Sequence, residues 1–85
     1  MIIPPLKKKL YGVGVRFYQR GSWSKIYVYK SHEYYDRNDI VLVRKGTFYS
    51  LAKVVKSKKN YDFKSTIKYS FIIQKVEVED DRPSG

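Results

Sequence analysis

Residues 40–56 read IVLVRKGTFYSLAKVVK. The apolar run at 40–43 is too short for a helix and is rich in β-branched residues, which is typical of a strand buried on both faces. A tight-turn signal follows at 44–47, and residues 48–56 then continue as a further strand. The stretch therefore predicts a β-hairpin made of the third and fourth strands of the chain.

Two strands are predicted before this hairpin. Residues 11–18 alternate with period two, so that one face carries Tyr11, Val13, Val15 and Phe17 and the other carries Gly12, Gly14, Arg16 and Tyr18. Residues 19–24 contain the Gly and Ser of a hairpin loop. Residues 25–30 alternate again, with Ile26 and Val28 opposed to Lys25, Tyr27 and Tyr29.

The remaining segments complete a β-rich pattern. Residues 31–39 predict one helical turn or an irregular loop, and residues 57–66, which lack a sustained period, predict the longest loop. A fifth strand is predicted over 67–78, with Ile67, Tyr69, Phe71 and Ile73 on one face and Lys68, Ser70, Ile72 and Gln74 on the other. Five short strands with a small core usually protect their edges by curling. We therefore expect an all-β fold, a five-stranded small, partly open barrel of the SH3-like or OB-like type.

The two ends of the chain differ from this body. Pro4-Pro5 excludes a helix and three lysines follow at 7–9, so residues 1–10 predict an extended arm. Residues 79–85 are acidic, contain Pro and Gly, and predict a flexible tail. A single β-barrel domain is expected over 11–78, in keeping with a length of 85 residues.

Residues suited to catalysis are scarce. The chain has no cysteine and one histidine, His32, so a metal site would depend on Glu33, Asp36 and Asp39 nearby. A solvated loop explains these residues better, and no Ser-His-acid set or pair of carboxylates in apolar surroundings stands out. We expect a protein that is not an enzyme and that holds no cofactor or metal.

The spacing of Gly12 and Gly14 invites comparison with a phosphate-binding loop. The third Gly, the following helix and the Gly-Lys-Ser/Thr ending of such loops are missing. Both glycines fall on one face of a predicted strand, which favours close approach of a neighbouring strand, loop or ring. We expect packing at this position.

The net charge is the most distinctive bulk property. It is +10 at pH 7, although residues 76–85 are acidic. A basic body of this kind attracts phosphate backbones, anionic lipid or acidic protein surfaces. No apolar stretch approaches the roughly 20 residues of a membrane span and no basic amphipathic helix is evident, so we expect no membrane partner. The expected location is the cytoplasm, of a bacterium or of an infected host cell.

Basic and aromatic residues interleave on the first predicted hairpin. Aromatic rings stack on unpaired bases, at roughly 1–3 kcal/mol per base, while Arg and Lys follow the phosphate backbone. The alternative is that the tyrosines cover the second side of the barrel and the cations only keep it soluble. The candidate nucleic-acid-binding residues are Arg16, Tyr18 and Arg20 on one strand, Lys25, Tyr27 and Tyr29 on the matching face of the next, and Trp23 at the loop tip.

A second basic cluster lies at the end of the fourth strand and in the long loop. With the lysines at 7–9, it would make diffuse phosphate contacts that depend steeply on salt and little on sequence. Lysine-rich loops are also common on soluble proteins in general. The candidate residues of this cluster are Lys53, Lys56, Lys58 and Lys59, with Lys64 further along the loop.

Four segments and one glycine follow in a specific order: Gly12-Val13-Gly14-Val15, Lys25-Ile26-Tyr27-Val28-Tyr29, Asp39-Ile40-Val41-Leu42-Val43, Gly46 and Ala52-Lys53-Val54-Val55. This order resembles the N-terminal small β-barrel of the PriA primosomal helicase family, and it is similar to that of short phage proteins of the same layout. The chain departs from the pattern at Asn38, where the pattern has Gly, and at Arg44-Lys45. Since the family's barrel binds DNA 3′ ends, the resemblance implies nucleic-acid binding, with no pocket residue carried across.

Three functions are compatible with these patterns. The first is a nucleic-acid-binding small barrel for single-stranded or ended DNA or RNA, with little sequence specificity. The second is a small interaction protein, of phage origin for example, that binds and inhibits or recruits an acidic host protein of DNA or RNA metabolism. The third is an assembly subunit whose strands pair with another copy. The sequence leaves the oligomeric state open.

Overall fold

The structure is a computed structural model that describes residues 10–77. Among these residues there is no helix, which confirms the all-β prediction. Apart from Leu10, the predicted arm lies outside the described residues, as do residue 78 and the predicted acidic tail. The strands are β1 (Tyr11–Arg16), β2 (Tyr18–Gln19), β3 (Ser22–Trp23), β4 (Tyr27–Ser31), β5 (Ile40–Lys45), β6 (Phe48–Lys59) and β7 (Gln74–Val76).

Five of these strands form one antiparallel sheet in the order β4-β1-β6-β5-β7. The predicted hairpin is confirmed: Lys45 pairs with Phe48 around a turn in which Gly46 has a φ of 62°. The fourth strand is longer than predicted and reaches Lys59, because residues 57–59 pair with 11–13 of β1. Strand β6 therefore lies at the centre of the sheet.

Valines and aromatic side chains form most of the core, on one face of the sheet. The predicted inner face of the first strand is confirmed by the burial of Val13, Val15 and Phe17. The other members of this core are Tyr29, Tyr35, Val41, Val43, Ala52, Val54 and Ile72. The prediction that residues 40–43 are buried on both faces is wrong, since Ile40 and Leu42 on the other face of β5 are only half-buried.

The C-terminal segment departs most from its predicted pattern. The regular strand covers only Gln74–Val76 instead of the predicted 67–78, and Ile72 is buried whereas Ile73 is 47% exposed. The reason lies in backbone hydrogen bonds to both sides of the sheet. Lys30 N–H donates to Ser70 O (2.8 Å), Ile72 N–H donates to Lys30 O (2.9 Å), and Ile73 N–H donates to Leu42 O (2.9 Å).

These bonds bring the two ends of the sheet towards each other. A single parallel bridge joins Lys30 of β4 to Phe71, just before β7. Regular ladders do not continue from it, so within residues 10–77 the sheet does not close into a complete barrel.

The segment between β4 and β5 is an irregular loop, one of the two predicted forms. Asn38 N–H donates to Val54 O, and Val54 N–H donates to Asp39 O, both at 2.8 Å. Asn38 has a φ of 76°, a left-handed conformation that Asn adopts more readily than most residues. Asn38 thus supplies the backbone geometry for which glycine is otherwise used.

Candidate nucleic-acid interface

The hairpin residues predicted to bind nucleic acid do not share one face. Tyr18 pairs with Trp23, whereas Val15 pairs with Tyr27, so residues 16–17 oppose the three residues 24–26. One extra residue reverses the faces of the strand that follows it. Tyr27 and Tyr29 consequently point to the same side as the core valines, and their predicted position beside Arg16 and Tyr18 is wrong.

The tip of this hairpin also differs from the prediction. Arg20 and Gly21 occupy the turn with φ values of 50° and 82°. Trp23 lies in β3 rather than at the tip, and its ring meets that of Tyr18 edge-on with centroids 5.1 Å apart. Trp23 is still 48% exposed.

A groove of about 540 Å³, here called the basic groove, is a large concave surface among the described residues. It lies beside β4, between the β5–β6 turn and the loop over 61–70. No Asp or Glu is among the residues that line it. Its cations are Lys25, Arg44, Lys45, Lys64 and Lys68, and its exposed or half-buried apolar surface includes Tyr27, Tyr61, Ile67 and Tyr69.

Hydrogen bonds hold the β5–β6 turn against β4. Arg44 Nε donates to Gly46 O (3.1 Å), which fixes the guanidinium side chain beside the turn. The Tyr29 hydroxyl of β4 donates to Arg44 O at the end of β5 (3.4 Å). Burial of Tyr29, and then the nearby Tyr27 phenol, raise the pKa of Tyr29 above its ordinary value. The hydroxyl therefore remains a neutral donor at physiological pH.

The other side of the groove is held by an aromatic cluster. Tyr61, Phe63 and Tyr69 meet edge-on, with centroid distances of 4.9 Å for the two pairs with Phe63 and 6.4 Å for the third. Lys64 N–H donates to the Tyr69 hydroxyl (3.3 Å). The loop over 61–70 is thus packed by its own rings, and it carries Lys64 and Lys68 to the groove.

Cations also contact aromatic rings where the groove meets the core residue Phe17. Lys45 Nζ lies 4.6 Å from the centre of the Phe17 ring, and Lys25 Nζ lies 5.3 Å from that of Tyr27. The Phe17 and Tyr27 rings are in turn 5.6 Å apart. Positive charge is therefore held directly beside a partly exposed tyrosine.

A second, smaller cavity lies where Arg16 of β1 pairs with Lys53 of β6. This cationic cleft, of about 220 Å³, is lined by Arg16, Trp23, Arg37, Asn38, Lys53, Val54 and Val55. It gathers three of the predicted residues, Arg16, Trp23 and Lys53. Arg37 was not predicted, because nothing in a polar loop indicates which side chain will lie against a strand.

The other predicted residues lie elsewhere. Lys56 and Lys58 line a mainly apolar pocket of about 200 Å³ beside Gly12 and Gly14. Tyr18, Arg20 and Lys59 line none of these three cavities. The predicted set is therefore divided among several surfaces, and Tyr29 is a core residue.

His32 stacks on Phe71 with centroids 5.3 Å apart, and residues 10–77 contain no group of three or more His, Cys, Asp or Glu that could hold a metal ion. No helix in that part of the chain is long and apolar enough to cross a membrane. Comparison of the chain with known protein families, curated proteins and solved structures found no match.

Proposed function

We propose that this protein binds single-stranded or ended nucleic acid in the basic groove, with little sequence specificity, and that it is a binding module without catalysis. One observation carries the proposal: five cations and four tyrosines, three of which are exposed or half-buried, line one groove that has no carboxylate in its wall. Cations neutralise phosphates, and tyrosine rings stack on bases of any sequence.

The architecture supports the proposal. A single parallel bridge between Lys30 and Phe71 brings the sheet ends together in the manner of a partly open barrel. We propose that the fold is a small barrel of the SH3-like or OB-like type, a class that presents one curved face to nucleic acid. The resemblance to the barrel of the PriA primosomal helicase family favours the same function.

The groove predicts a salt dependence that can be measured. Each cation that contacts a phosphate of a single strand contributes about −0.7 to the slope of log K against log salt concentration. Five contacts would give a slope of about −3.5. The test is titration of a labelled oligothymidylate at several salt concentrations, followed by fluorescence anisotropy.

Two double variants with the same change of charge locate the site. Lys64→Gln with Lys68→Gln removes two groove cations, and we expect it to reduce the slope by about 1.4. Arg20→Gln with Lys59→Gln removes two cations outside the groove, and we expect the wild-type slope. An equal reduction of the slope in the two variants would show that the oligonucleotide is attracted by the whole basic surface and not by the groove. The absence of oligonucleotide binding at low salt would reject the proposed nucleic-acid-binding function.

A second candidate, an interaction protein that binds an acidic partner, is favoured by the open edge of β4. The N–H and the C=O of Lys30 both form hydrogen bonds on the side of β4 that faces away from β1. Backbone groups two residues apart in a strand point the same way, so the N–H and the C=O of Val28 also face away from β1. Within residues 10–77 Val28 has no backbone partner on that side. An extended acidic segment would pair there as an added strand, with its carboxylates beside the groove cations.

One substitution separates this candidate from the first. Val28→Pro removes the outward N–H donor and is compatible with an edge strand, whereas Val28→Thr keeps the donor. A labelled peptide of alternating Val and Glu should bind the wild type and the Thr variant but not the Pro variant. If the peptide does not bind the wild type, or binds all three alike, pairing at this edge is excluded. Oligonucleotide binding by the same variants reports separately on the first candidate.

A further inference from the structure

Three cationic side chains reach the cationic cleft from three parts of the chain. Arg16 ends β1, and Lys53 lies directly opposite it in the register of β6. Arg37 comes from the loop before β5. The pairing of β1 with β6 skips Val55 at this place, and Val54 and Val55 also line the cleft.

The loop that carries Arg37 is held on both sides of that residue. Asp36 N–H donates to Asp39 Oδ2 (2.9 Å), and Asn38 N–H donates to Val54 O (2.8 Å). The backbone position of Arg37 relative to β6 is therefore fixed before any ligand binds. Such preorganisation reduces the conformational entropy that the loop loses when a ligand binds.

The three charges have no ionic partner within the described residues. The one ion pair of residues 10–77 joins Lys75 to Asp39 (3.6 Å), and no Asp or Glu lines the cleft. Like charges held together in this way repel one another, and a bound anion would relieve the repulsion. The guanidinium groups of two arginines also match the oxygen geometry of phosphate better than lysines do.

The size of the cleft limits the ligand. Its volume of about 220 Å³ is below the roughly 300–1,000 Å³ of pockets that enclose a drug-sized ligand, so it suits a single head group. Trp23 forms one wall, with Lys53 Nζ 5.4 Å from the centre of its ring. A partly exposed indole beside a phosphate-sized site is suited to stacking with an attached base.

We infer that the cationic cleft is a binding site for a phosphate monoester, as found in a nucleoside monophosphate or at the phosphorylated end of a strand. Arg16, Arg37 and Lys53 hold the phosphate, and Trp23 contacts the adjoining base. This goes beyond the proposed function, because the basic groove is a separate cavity. The cleft and the groove lie close together. Trp23 lines the cleft and Lys25 lines the groove, and two residues of extended chain span about 7 Å.

The fluorescence of Trp23 provides the test, because it is the only tryptophan of the chain. Inorganic phosphate, uridine 5′-monophosphate and uridine are titrated separately at constant ionic strength. We expect a saturable change with phosphate, a larger one at lower concentration with the monophosphate, and none with uridine at the same concentrations. No saturable response to either phosphate probe, or the same response to added chloride, would overturn the inference.

Two single variants show whether the cleft itself is responsible. Arg37→Gln should weaken phosphate binding about tenfold or more, which is the loss of one charge-assisted contact. Arg20→Gln removes the same charge from the neighbouring hairpin and should retain wild-type affinity. Equal affinity of Arg37→Gln and the wild type would reject the site even if phosphate binds the protein.

Oligonucleotides with and without a 5′-phosphate separate the two sources of the ligand. Tighter binding of the phosphorylated strand identifies a strand end, whereas equal binding of both strands identifies a free mononucleotide. The Lys64→Gln and Lys68→Gln double variant should retain its response to inorganic phosphate. The experiments therefore distinguish a lack of phosphate binding in the cleft from a lack of oligonucleotide binding in the groove.

Discussion

The ring of Tyr61 lies against the backbone of Gly12, in the space that a side chain at position 12 would occupy. A Cβ built at Gly12 stands 2.5 Å from Cβ and 2.7 Å from Cδ2 of Tyr61. This confirms that the glycine allows close approach of a ring. Because Tyr61 belongs to the aromatic cluster that holds Lys64 and Lys68 at the groove, a glycine in β1 determines the position of cations some fifty residues later.

Gly12→Ala should therefore destabilise the fold and also weaken oligonucleotide binding. Overpacking of this kind costs about 1–3 kcal/mol, partly offset by the lower entropy of the unfolded alanine chain. Gly14→Ala is the control, because its Cβ would stand 3.0 Å from a methyl of Ile26 that can move aside. Urea denaturation of both variants measures the difference. Equal stability of the two would show that Tyr61 does not pack on Gly12.

Ile72 and Ile73 provide a test of the C-terminal segment with the same chemical change. Ile72→Ala removes a buried side chain and should lower the free energy of unfolding by about 2–5 kcal/mol. Ile73→Ala changes a side chain that is 47% exposed and should have a much smaller effect. Thermal and urea denaturation decide between them. The opposite ranking would show that Ile73, and not Ile72, packs in the core.

Local patterns were sufficient to predict the hairpin of β5 and β6 and the inner face of β1. They failed where distant contacts decide the orientation of a segment. The sequence predicts a strand over 67–78, but only Gln74–Val76 is regular, and residues 70 and 72 bond instead to Lys30. A periodic pattern contains no information about which edge strand a segment will meet.

The candidate site was less predictable than the fold because its walls come from distant parts of the chain. Lys25 and Tyr27, the β5–β6 turn and the loop over 61–70 meet only in the folded protein. In the first hairpin, the extra residue within 24–26 decides which side chains of β4 point to the core. The sequence does not show that a residue is extra unless the strand pairing is known. The sequence did indicate the kind of surface, since it contains many lysines and tyrosines and few acids.

Stability should fall in alkaline solution because two tyrosines are buried. Burial is the largest cause that raises the pKa of Tyr29 and of Tyr35 above the ordinary 10.0. The folded state therefore holds these protons more tightly than the unfolded state. The stabilisation is complete below about pH 10 and is lost as the pH rises through the raised values.

The measurement compares urea midpoints at about pH 9 and pH 11. Replacement of both Tyr29 and Tyr35 by Phe should reduce the loss of stability between these pH values. Replacement of the exposed Tyr18 and Tyr34 by Phe is the matched control and should leave the loss as in the wild type. If the variant that lacks the Tyr29 and Tyr35 hydroxyls loses as much stability as the wild type, the pKa values of these two phenols are the same in the folded and unfolded states.

Tyr27 should contribute to nucleic-acid binding, whereas Tyr18 should not. Tyr27 lines the basic groove beside Lys25, and Tyr18 packs on Trp23 outside the groove. Loss of one stacked base costs about 1–3 kcal/mol, so Tyr27→Ala should weaken binding of an oligothymidylate by about tenfold, and Tyr18→Ala by less than about twofold. Because Tyr27 also packs on Phe17, the melting temperature of each variant is measured first, and the titrations are made well below it. If Tyr18→Ala weakens binding and Tyr27→Ala does not, the nucleic acid lies along the small β2–β3 hairpin instead of the groove.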